Sequence, residues 1–313
     1  MNPPINMPDG RACVVCGSSQ ATELFSAQDR LLDLTGTFRF VRCLRCGLIY
    51  VDPQPTWEQR ARHYPPEYRG YHTTAQDRSQ VQRRAWSYGM EKRRRIIAAH
   101  SRGGRLLDIG CGGGEFAAYM EQYGGWKVVA VESSSAMAQT ARVCQGVDVV
   151  IGDGLQLGFA DATCDVVTLW AVLEHMADPR QGLAECVRVL RPGGLLVVRT
   201  LMAESWGARL FGANWVGYDA PRVLFVFPQA TLRILMEESG AAVVGIGSHF
   251  HDFHPFLWSL RNLCLDQLCS PALCARIDRV AHSWLVRLAT LPFFAWQTRQ
   301  GGNSFVTVTA LKP

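Results

Sequence analysis

From Arg105 onward the chain alternates short apolar runs with longer stretches of helical periodicity, and no other feature limits its fold as tightly. The runs at 106–109, 128–131, 147–151, 166–170, 195–201, 243–248 and 305–310 have the length and β-branched content of buried strands. Most of the segments between them are long enough for a helix. Parallel strands need a crossover connection, so this rhythm predicts an α/β chain with a doubly wound, seven-stranded Rossmann-like sheet. Ligands of such sheets sit at the carboxyl ends of the strands. Hydrophobic residues at 48% against charged residues at 19% supply a core and exclude general disorder. No run of 18 apolar residues lacks a charge, so no ordinary spanning helix is expected. Met1 to Gln20 has no apolar h-region, and a cytoplasmic protein is the expectation.

Eleven cysteines is an odd number, so they cannot all pair. Most, such as Cys144, Cys164, Cys186 and Cys264, sit singly in apolar runs and read as small buried hydrophobes in a reducing compartment. Cys13-Val-Val-Cys16-Gly17 and Cys43-Leu-Arg-Cys46-Gly47 repeat one pattern, with 26 residues between Cys16 and Cys43. Two thiolates two residues apart grip one metal from a tight turn, and the glycine relieves the backbone behind them. Two such turns complete a closed four-thiolate site, which fits structural zinc. A redox pair explains neither the repetition nor the matched glycines. Alternation in Phe38-Arg-Phe-Val-Arg42 suggests a short hairpin between the turns. In so small a ribbon the metal is expected to supply most of the folding free energy, on the order of 10 kcal/mol.

Pro53, Pro55, Pro65 and Pro66 read as a linker, which places a ribbon and linker at 1–75 and a second domain at 76–313. A proline-free stretch from Arg78 to His100 predicts a helix bearing Arg83, Arg84, Lys92, Arg93, Arg94 and Arg95. Its charges suit a solvated face packed through Trp86, Ile96 and Ile97, or a surface for phosphate. Residues 1–100 hold 15 Lys and Arg against 9 Asp and Glu, within a total net charge of +5. That excess favours an anionic partner at the front but does not require nucleic acid.

The first predicted strand runs into Asp108-Ile-Gly110-Cys111-Gly112-Gly-Gly114-Glu115. Alternate glycines let a backbone press against a flat ligand. The dinucleotide pattern GxGxxG fails from Gly110, because Glu115 stands third; from Gly112 it starts well past the strand end. Asp108 suits a cationic ligand and repels a pyrophosphate. Glu132, at the end of the second strand, is placed to accept from both hydroxyls of a ribose.

Together these residues resemble the class I S-adenosylmethionine-dependent methyltransferases, and later segments extend the likeness over residues 103–250. Asp153-Gly154 resembles the turn whose acid contacts the adenine amino group. Asp165 to Trp170 with Leu173-Glu174-His175 resembles the fourth strand and its loop, and Arg191-Pro-Gly-Gly194 the turn into the fifth. The resemblance implies S-adenosylmethionine as cofactor, bound by Asp108, Gly110, Cys111, Gly112, Gly114, Glu132, Asp153, Gly154 and Trp170. With the ribbon, and with Asn214 to Arg222 and Phe227 to Leu232, the chain is similar to a bacterial group tied to cell-surface glycan and secondary-metabolite pathways. That group commonly has Pro-Arg-His-Leu where this chain has Val223, so a possible base is missing.

A sulfonium methyl is already activated, so transfer mainly needs positioning, with a base where the acceptor is a hydroxyl. His175 is the candidate base, or else it shapes its loop by hydrogen bonding. Glu174 is a candidate to orient that loop. Tyr218, Asp219 and Arg222 are candidates for the acceptor pocket, with Arg222 equally a structural pairing residue. No Asn/Asp-Pro-Pro-Tyr/Phe follows the fourth strand, which argues against base amines, and no Pro-Cys offers a pyrimidine route. The expected acceptor is a hydroxyl or carbon of a small molecule, sugar or lipid-linked precursor. Rivals are an RNA methyltransferase gripping phosphate with ribbon and Arg-rich helix, and a non-catalytic cofactor-binding protein.

Between the last two strands, about 255–297, an insertion places Ile277, Val280, Ala281, Trp284, Leu285, Leu288 and Leu291 at helical spacing. Arg276, Arg279, His282 and Arg287 fall opposite them. A lid, a dimer face or a peripheral contact with the inner membrane all fit this pattern. The sequence leaves the oligomeric state open.

Overall fold

The computed structural model describes residues 5–6, 12–64, 80–268, 271–281 and 283–313. Pro65, Pro66, Arg78 and His282, and the side chains of Arg83, Ala281 and Trp284, lie outside the described residues. The strands in chain order are β1 (Ile5–Asn6), β2 (Gln20–Ala27), β3 (Phe38–Cys43), β4 (Ile49–Val51), β5 (Gly104–Ile109) and β6 (Trp126–Glu132). There follow β7 (Asp148–Ile151), β8 (Cys164–Trp170), β9 (Leu190–Leu201), β10 (Phe225–Val226), β11 (Ala242–Gly247) and β12 (Phe305–Leu311). The helices are α1 (Trp57–Ala61), α2 (Gln80–Ala98), α3 (Glu115–Gly124), α4 (Ser135–Thr140) and α5 (Pro179–Val189). The others are α6 (Trp206–Phe211), α7 (Gln229–Glu238), α8 (Phe253–Leu268), α9 (Pro271–Ala281) and α10 (Trp284–Arg299).

Every predicted strand of the large sheet is present, in the order β11-β12-β9-β8-β5-β6-β7. Strands β5, β6, β7, β8 and β9 pair in parallel. Hydrogen bonds join Gly193 and Gly194 to Lys312 at one end of β9, and Met202 to Ser304 at the other, so β12 runs antiparallel to β9. The sheet is therefore mixed. Chain order reverses between β5 and β8, and a crevice at their carboxyl ends is where this topology puts a ligand. Beneath it Leu106, Val128, Ala130, Val166, Leu195 and Val197 pack against Ile97, Phe116 and Met120.

The chain gathers into two compact units, and these do not follow the expected division at residue 75. One combines Met1–His63, Thr200–Leu232 and Gly247–Thr307; the other combines Tyr64–Arg199, Arg233–Ile246 and Val308–Pro313. Within the first unit a second sheet runs β1-β2-β3-β4-β10. The hairpin expected at 38–42 is β3, paired to both β2 and β4. Strand β10, distant in sequence, pairs antiparallel with β4. Phe40, Ile49 and Val51 share one core with Phe211, Trp215, Tyr218, Val223 and Val226. The cysteine segment thus has a real apolar core, and the expectation that metal supplies most of its folding free energy is corrected. At roughly 1.5–3 kcal/mol per large apolar side chain buried, these contacts rival a metal.

The stretch expected to be a linker is packed as well. Asp52 is buried and accepts from Arg39 Nη2 at 2.8 Å, and Thr56 caps α1 with a full capping box to Gln59. His63, at its end, is fully buried. There Arg222 donates to both oxygens of Asp29 at 2.6 and 2.8 Å and to Asp219 at 2.6 and 2.7 Å, and His63 Nδ1 lies 2.6 Å from Asp29 Oδ2. Burial raises the Asp29 pKa, but the Arg222 and His63 hydrogen bonds outweigh it and hold the carboxyl at about 2. The insertion forms α8, α9 and α10, packed through Phe253, Leu257, Cys264, Cys274, Ile277 and Phe294.

A buried guanidinium holding two carboxylates cannot be truncated cheaply, because the buried Asp29 then loses its bidentate cationic partner. Arg222→Ala is expected to lower stability to urea by about 3–5 kcal/mol. Arg180→Ala, which breaks the exposed Arg180–Glu238 pair, should cost under about 1 kcal/mol. Similar losses in the two variants would show that the buried cluster is not a main anchor of the first unit.

Candidate cofactor site

The second unit assembles its polar residues at the carboxyl ends of β5, β6, β7 and β8. Asp108, one residue from the end of β5, is only 2% exposed. Its Oδ1 accepts from Thr168 Oγ1 on β8 at 2.7 Å. Burial drives the Asp108 pKa up to about 7; Thr168 and the charge of Arg93 pull it down, while Glu132 pushes it further up. The site therefore holds a carboxyl poised between its two protonation states, which a nearby cation would ionise.

Glu132 ends β6, buried, with its two oxygens spread over two loops. Oε2 accepts from the amide of Gly112 and Oε1 from that of Ser134, each at 2.8 Å. This acid therefore braces the glycine loop. The loop amides of Gly110 and Cys111 both donate to Val131 O, at 2.7 and 3.2 Å, which fixes the turn against β6.

The three alternate glycines differ in what requires them. All have positive φ: +70° at Gly110, +55° at Gly112 and +78° at Gly114. A methyl on Gly110 would stand 2.5 Å from Val172 Cγ2, and one on Gly114 2.7 Å from Ala141 Cβ. Only at Gly112 would it project into open space. The expectation that all three press on a ligand is thus narrowed. Gly110 and Gly114 serve the protein's own packing, and Gly112 leaves a cradle. Gly154, after β7, is likewise filled from beneath by Ile109 and Met176, while Asp153 beside it is exposed and accepts from Leu155 N at 3.0 Å.

Trp170 closes β8, its ring 5.4 Å from that of Phe116. Its indole N–H is buried and finds no acceptor among the described residues. Cys111 is half-buried, and burial near Asp108 and Glu132 raises its thiol pKa, so it stays protonated. Beyond Trp170, Leu173–His175 form one tight helical turn with Glu174 buried and His175 half-buried. Tyr218, the third candidate catalytic residue, belongs to the first unit. Its ring is 6% exposed and packs against Phe25, Phe40 and Trp215 at 4.8–5.2 Å, and burial pushes its hydroxyl pKa up to about 12. Arg222 and Asp219 lie in the buried cluster described above, so Arg222 is the structural pairing residue.

One residue of this site was read only as part of a charge run. Arg93 turns inward from α2, its guanidinium 4.9 Å from the Trp170 ring centre and 5.7 Å from that of Phe116. Burial lowers its pKa, and the charges of Asp108 and Glu115 oppose that. Its neighbours Arg94 and Arg95 face out and clamp Glu91 at 2.7 and 2.8 Å. The spacing Trp86, Met90, Arg93, Ile97 is the apolar stripe of the helix, and it marks Arg93 as inward-facing.

In the first unit Cys13, Cys16, Cys43 and Cys46 place their sulfurs within 4.8 Å of one another. The pairs Cys13–Cys46 and Cys16–Cys43 stand 3.6 and 3.4 Å apart, too far for a disulfide of about 2.05 Å. Gly17 N and Gly47 N turn back to the carbonyls of Cys13 and Cys43, with φ of +70° and +76°, as the repeated pattern predicts. The four sulfurs can hold one metal ion.

Comparison with known proteins agrees with this geometry. Residues 107–198 match the family described as a methyltransferase domain. A relative named ubiquinone biosynthesis O-methyltransferase, from Maricaulis maris, is 33% identical over 151 residues, 44% of this chain and 59% of its own length. The chain spans about half the length of the curated relatives it matches first. Among solved structures, a geranyl diphosphate methyltransferase in complex with S-adenosylmethionine superposes with a TM-score of 0.50 at 18% identity, covering 74% of this chain and 87% of its own. The [4+2]-cyclase SpnF also gives 0.50, at 20% identity over 78% of this chain and 86% of its own. Residues 107–198 are thus similar to a methyltransferase domain, and the fold is one shared with these solved structures. The cyclase shares the fold under another activity in its name, so what the domain does must be argued from its site.

The glycine geometry yields a graded expectation for thermal unfolding of the ligand-free protein. Gly112→Ala should cost about 1 kcal/mol, the penalty of a left-handed alanine. Gly110→Ala and Gly114→Ala should cost about 1–3 kcal/mol more, because Val172 and Ala141 must move. Equal losses at all three positions would contradict the division between packing and cradle.

Proposed function

We propose that the chain transfers the methyl group of S-adenosylmethionine to a hydroxyl of a small molecule, sugar or lipid-linked acceptor. The carrying observation is the meeting of Asp108, Gly112 and Glu132 at the point where the strand order reverses. Gly112 offers a backbone cradle, Trp170 an unused indole N–H, and the two acids a negative field. That donor set fits an adenosyl sulfonium. When bound, the cofactor supplies an electrophilic methyl on sulfur.

Glu132 keeps a lone pair on Oε2 for a ribose hydroxyl while it braces Gly112, and Asp153 is exposed where an adenine amino group is expected. The amino-acid end of the cofactor is a zwitterion. Arg93 suits its carboxylate and Asp108 its ammonium, which would bring the Asp108 pKa down and hold it ionised. Gly110, Cys111, Gly114 and Gly154 shape the turns around these groups. His175 accepts the proton of the acceptor hydroxyl, and Glu174 fixes the turn that carries it; the burial of Tyr218 favours a packing role. Relatives whose names specify O-methylation support oxygen over carbon as the acceptor atom. Arg93 faces inward and Arg94 and Arg95 are tied to Glu91, which weighs against α2 as a phosphate grip. The four cysteines suit zinc, since Zn–S bonds of about 2.3 Å set tetrahedral edges near the observed spacings. With every position filled by sulfur, that ion would be structural.

Three measurements test this reading. Incubation with methyl-labelled cofactor and cell extract should move label into a small-molecule or lipid fraction and release the demethylated cofactor. Label in RNA, or tight binding without release, would favour one of the rivals. In His175→Gln the rate should fall about 10²–10⁴-fold and its dependence on pH should change; an unchanged pH–rate profile removes His175 from proton transfer. Elemental analysis should find about one zinc per chain, lost in Cys16→Ser/Cys46→Ser. A metal-free, folded wild-type protein would refute the zinc assignment.

A further inference from the structure

The insertion leaves an apolar surface for which neither the fold nor the cofactor site has a use. Along α10, Leu285, Leu288, Pro292 and Trp296 recur every three or four residues and are all exposed, Leu285 and Leu288 at 60% each. Leu291 and Phe293 flank this stripe, also exposed. The opposite side of the helix is packed, with Phe294 and Gln297 buried. The pattern expected from the sequence, one apolar face running from Ile277 to Leu291, is corrected here. One helix ends at Ala281 and another begins at Trp284; Ile277 is buried in the core, whereas Leu285, Leu288 and Leu291 are exposed.

Two further observations indicate what covers this side. First, cations accompany it: Arg299 continues the stripe three residues past Trp296, and the preceding helix α9 bears two more on its exposed surface. Arg276 and Arg279, exposed on α9 beside Val280, and Arg299, exposed at the end of α10, have no acidic partner among the described residues. The one acid of these two helices, Asp278, is engaged by Arg261 at 3.3 Å. Arg287 is not one of these cations, since it lies over the Phe253 ring at 5.4 Å. Second, the aromatic members are braced. Trp206 holds its ring 5.0 Å from that of Trp296 and 6.4 Å from that of Phe293.

We propose that this side of α9 and α10 docks the protein on an anionic lipid surface, with the leucines and Trp296 entering the headgroup–acyl boundary and the three arginines meeting lipid phosphates. A helix with an exposed apolar stripe, aromatic residues and accompanying cations lies in that interface. A second copy of the chain is a poorer occupant, because two such faces would bring like charges together with no acid to offset them. No helix among the described residues is long and apolar enough to cross a membrane, so the contact is peripheral. The inference stands apart from the methyl-transfer reading.

Flotation of the full-length protein with vesicles of phosphatidylcholine, alone or with phosphatidylglycerol, tests it. The protein should rise with the anionic vesicles and stay behind with the neutral ones. Arg276→Gln/Arg279→Gln/Arg299→Gln should lower partition on the order of 100-fold, and Leu285→Ser/Leu288→Ser/Trp296→Ser should abolish it. The arginine variant alters exposed side chains and should keep the wild-type melting temperature; Trp296→Ser also removes the Trp206 ring contact, so Leu285→Ser/Leu288→Ser gives the version of the apolar test that leaves that packing intact. Absence of flotation, or flotation of the apolar variant equal to wild type, overturns the proposal. So does a dimer, seen by sedimentation, that the apolar variant dissolves while vesicles recruit nothing.

Discussion

A carboxylate buried at the end of a central strand is unstable unless something compensates it, and Asp108 is in that position. Desolvation alone pushes it toward neutrality, and the Thr168 hydroxyl and Arg93 charge only partly restore the ionised form. The crevice above β5 therefore carries an unfinished electrostatic balance, with Glu132 adding negative charge from β6. In the proposed function a positively charged ligand would complete that balance, with Gly112, Glu132 and Trp170 as its cradle where strand order reverses.

The first unit is held by a different logic. Its cysteine turns, the β2–β4 ribbon and residues 211–226 share one apolar core and one five-stranded sheet. Arg222 binds Asp29 and Asp219 at the bottom of that assembly, and Asp29 also accepts from the amides of Leu31 and Leu32 at 3.0 Å. A metal at the four sulfurs then pins two turns of an already packed structure, and would act as a local clamp.

The large sheet was legible because each of its strands is a short apolar run in a fixed alternation, a local signal. The cysteine turns were legible for the same reason, since the spacing and the glycines are contained within five residues. What escaped was non-local. Nothing near Asp29 or His63 shows that Arg222, over 150 residues later, will bury against them. Strand β10 returns to pair with β4, and no periodicity records that pairing. The clashes that a side chain at Gly110 or Gly114 would make with Val172 and Ala141 exist only once the chain has packed. Arg93 was the recoverable omission, since its spacing from Trp86, Met90 and Ile97 already put it on the inner face.

The direct measurement is titration calorimetry of the purified chain with S-adenosylmethionine, its demethylated product and a nicotinamide dinucleotide. Saturable uptake of the first two, weakened by at least about tenfold in Glu132→Ala, is the expected result. Indifference to both, together with binding of the dinucleotide, would contradict the assignment of the crevice.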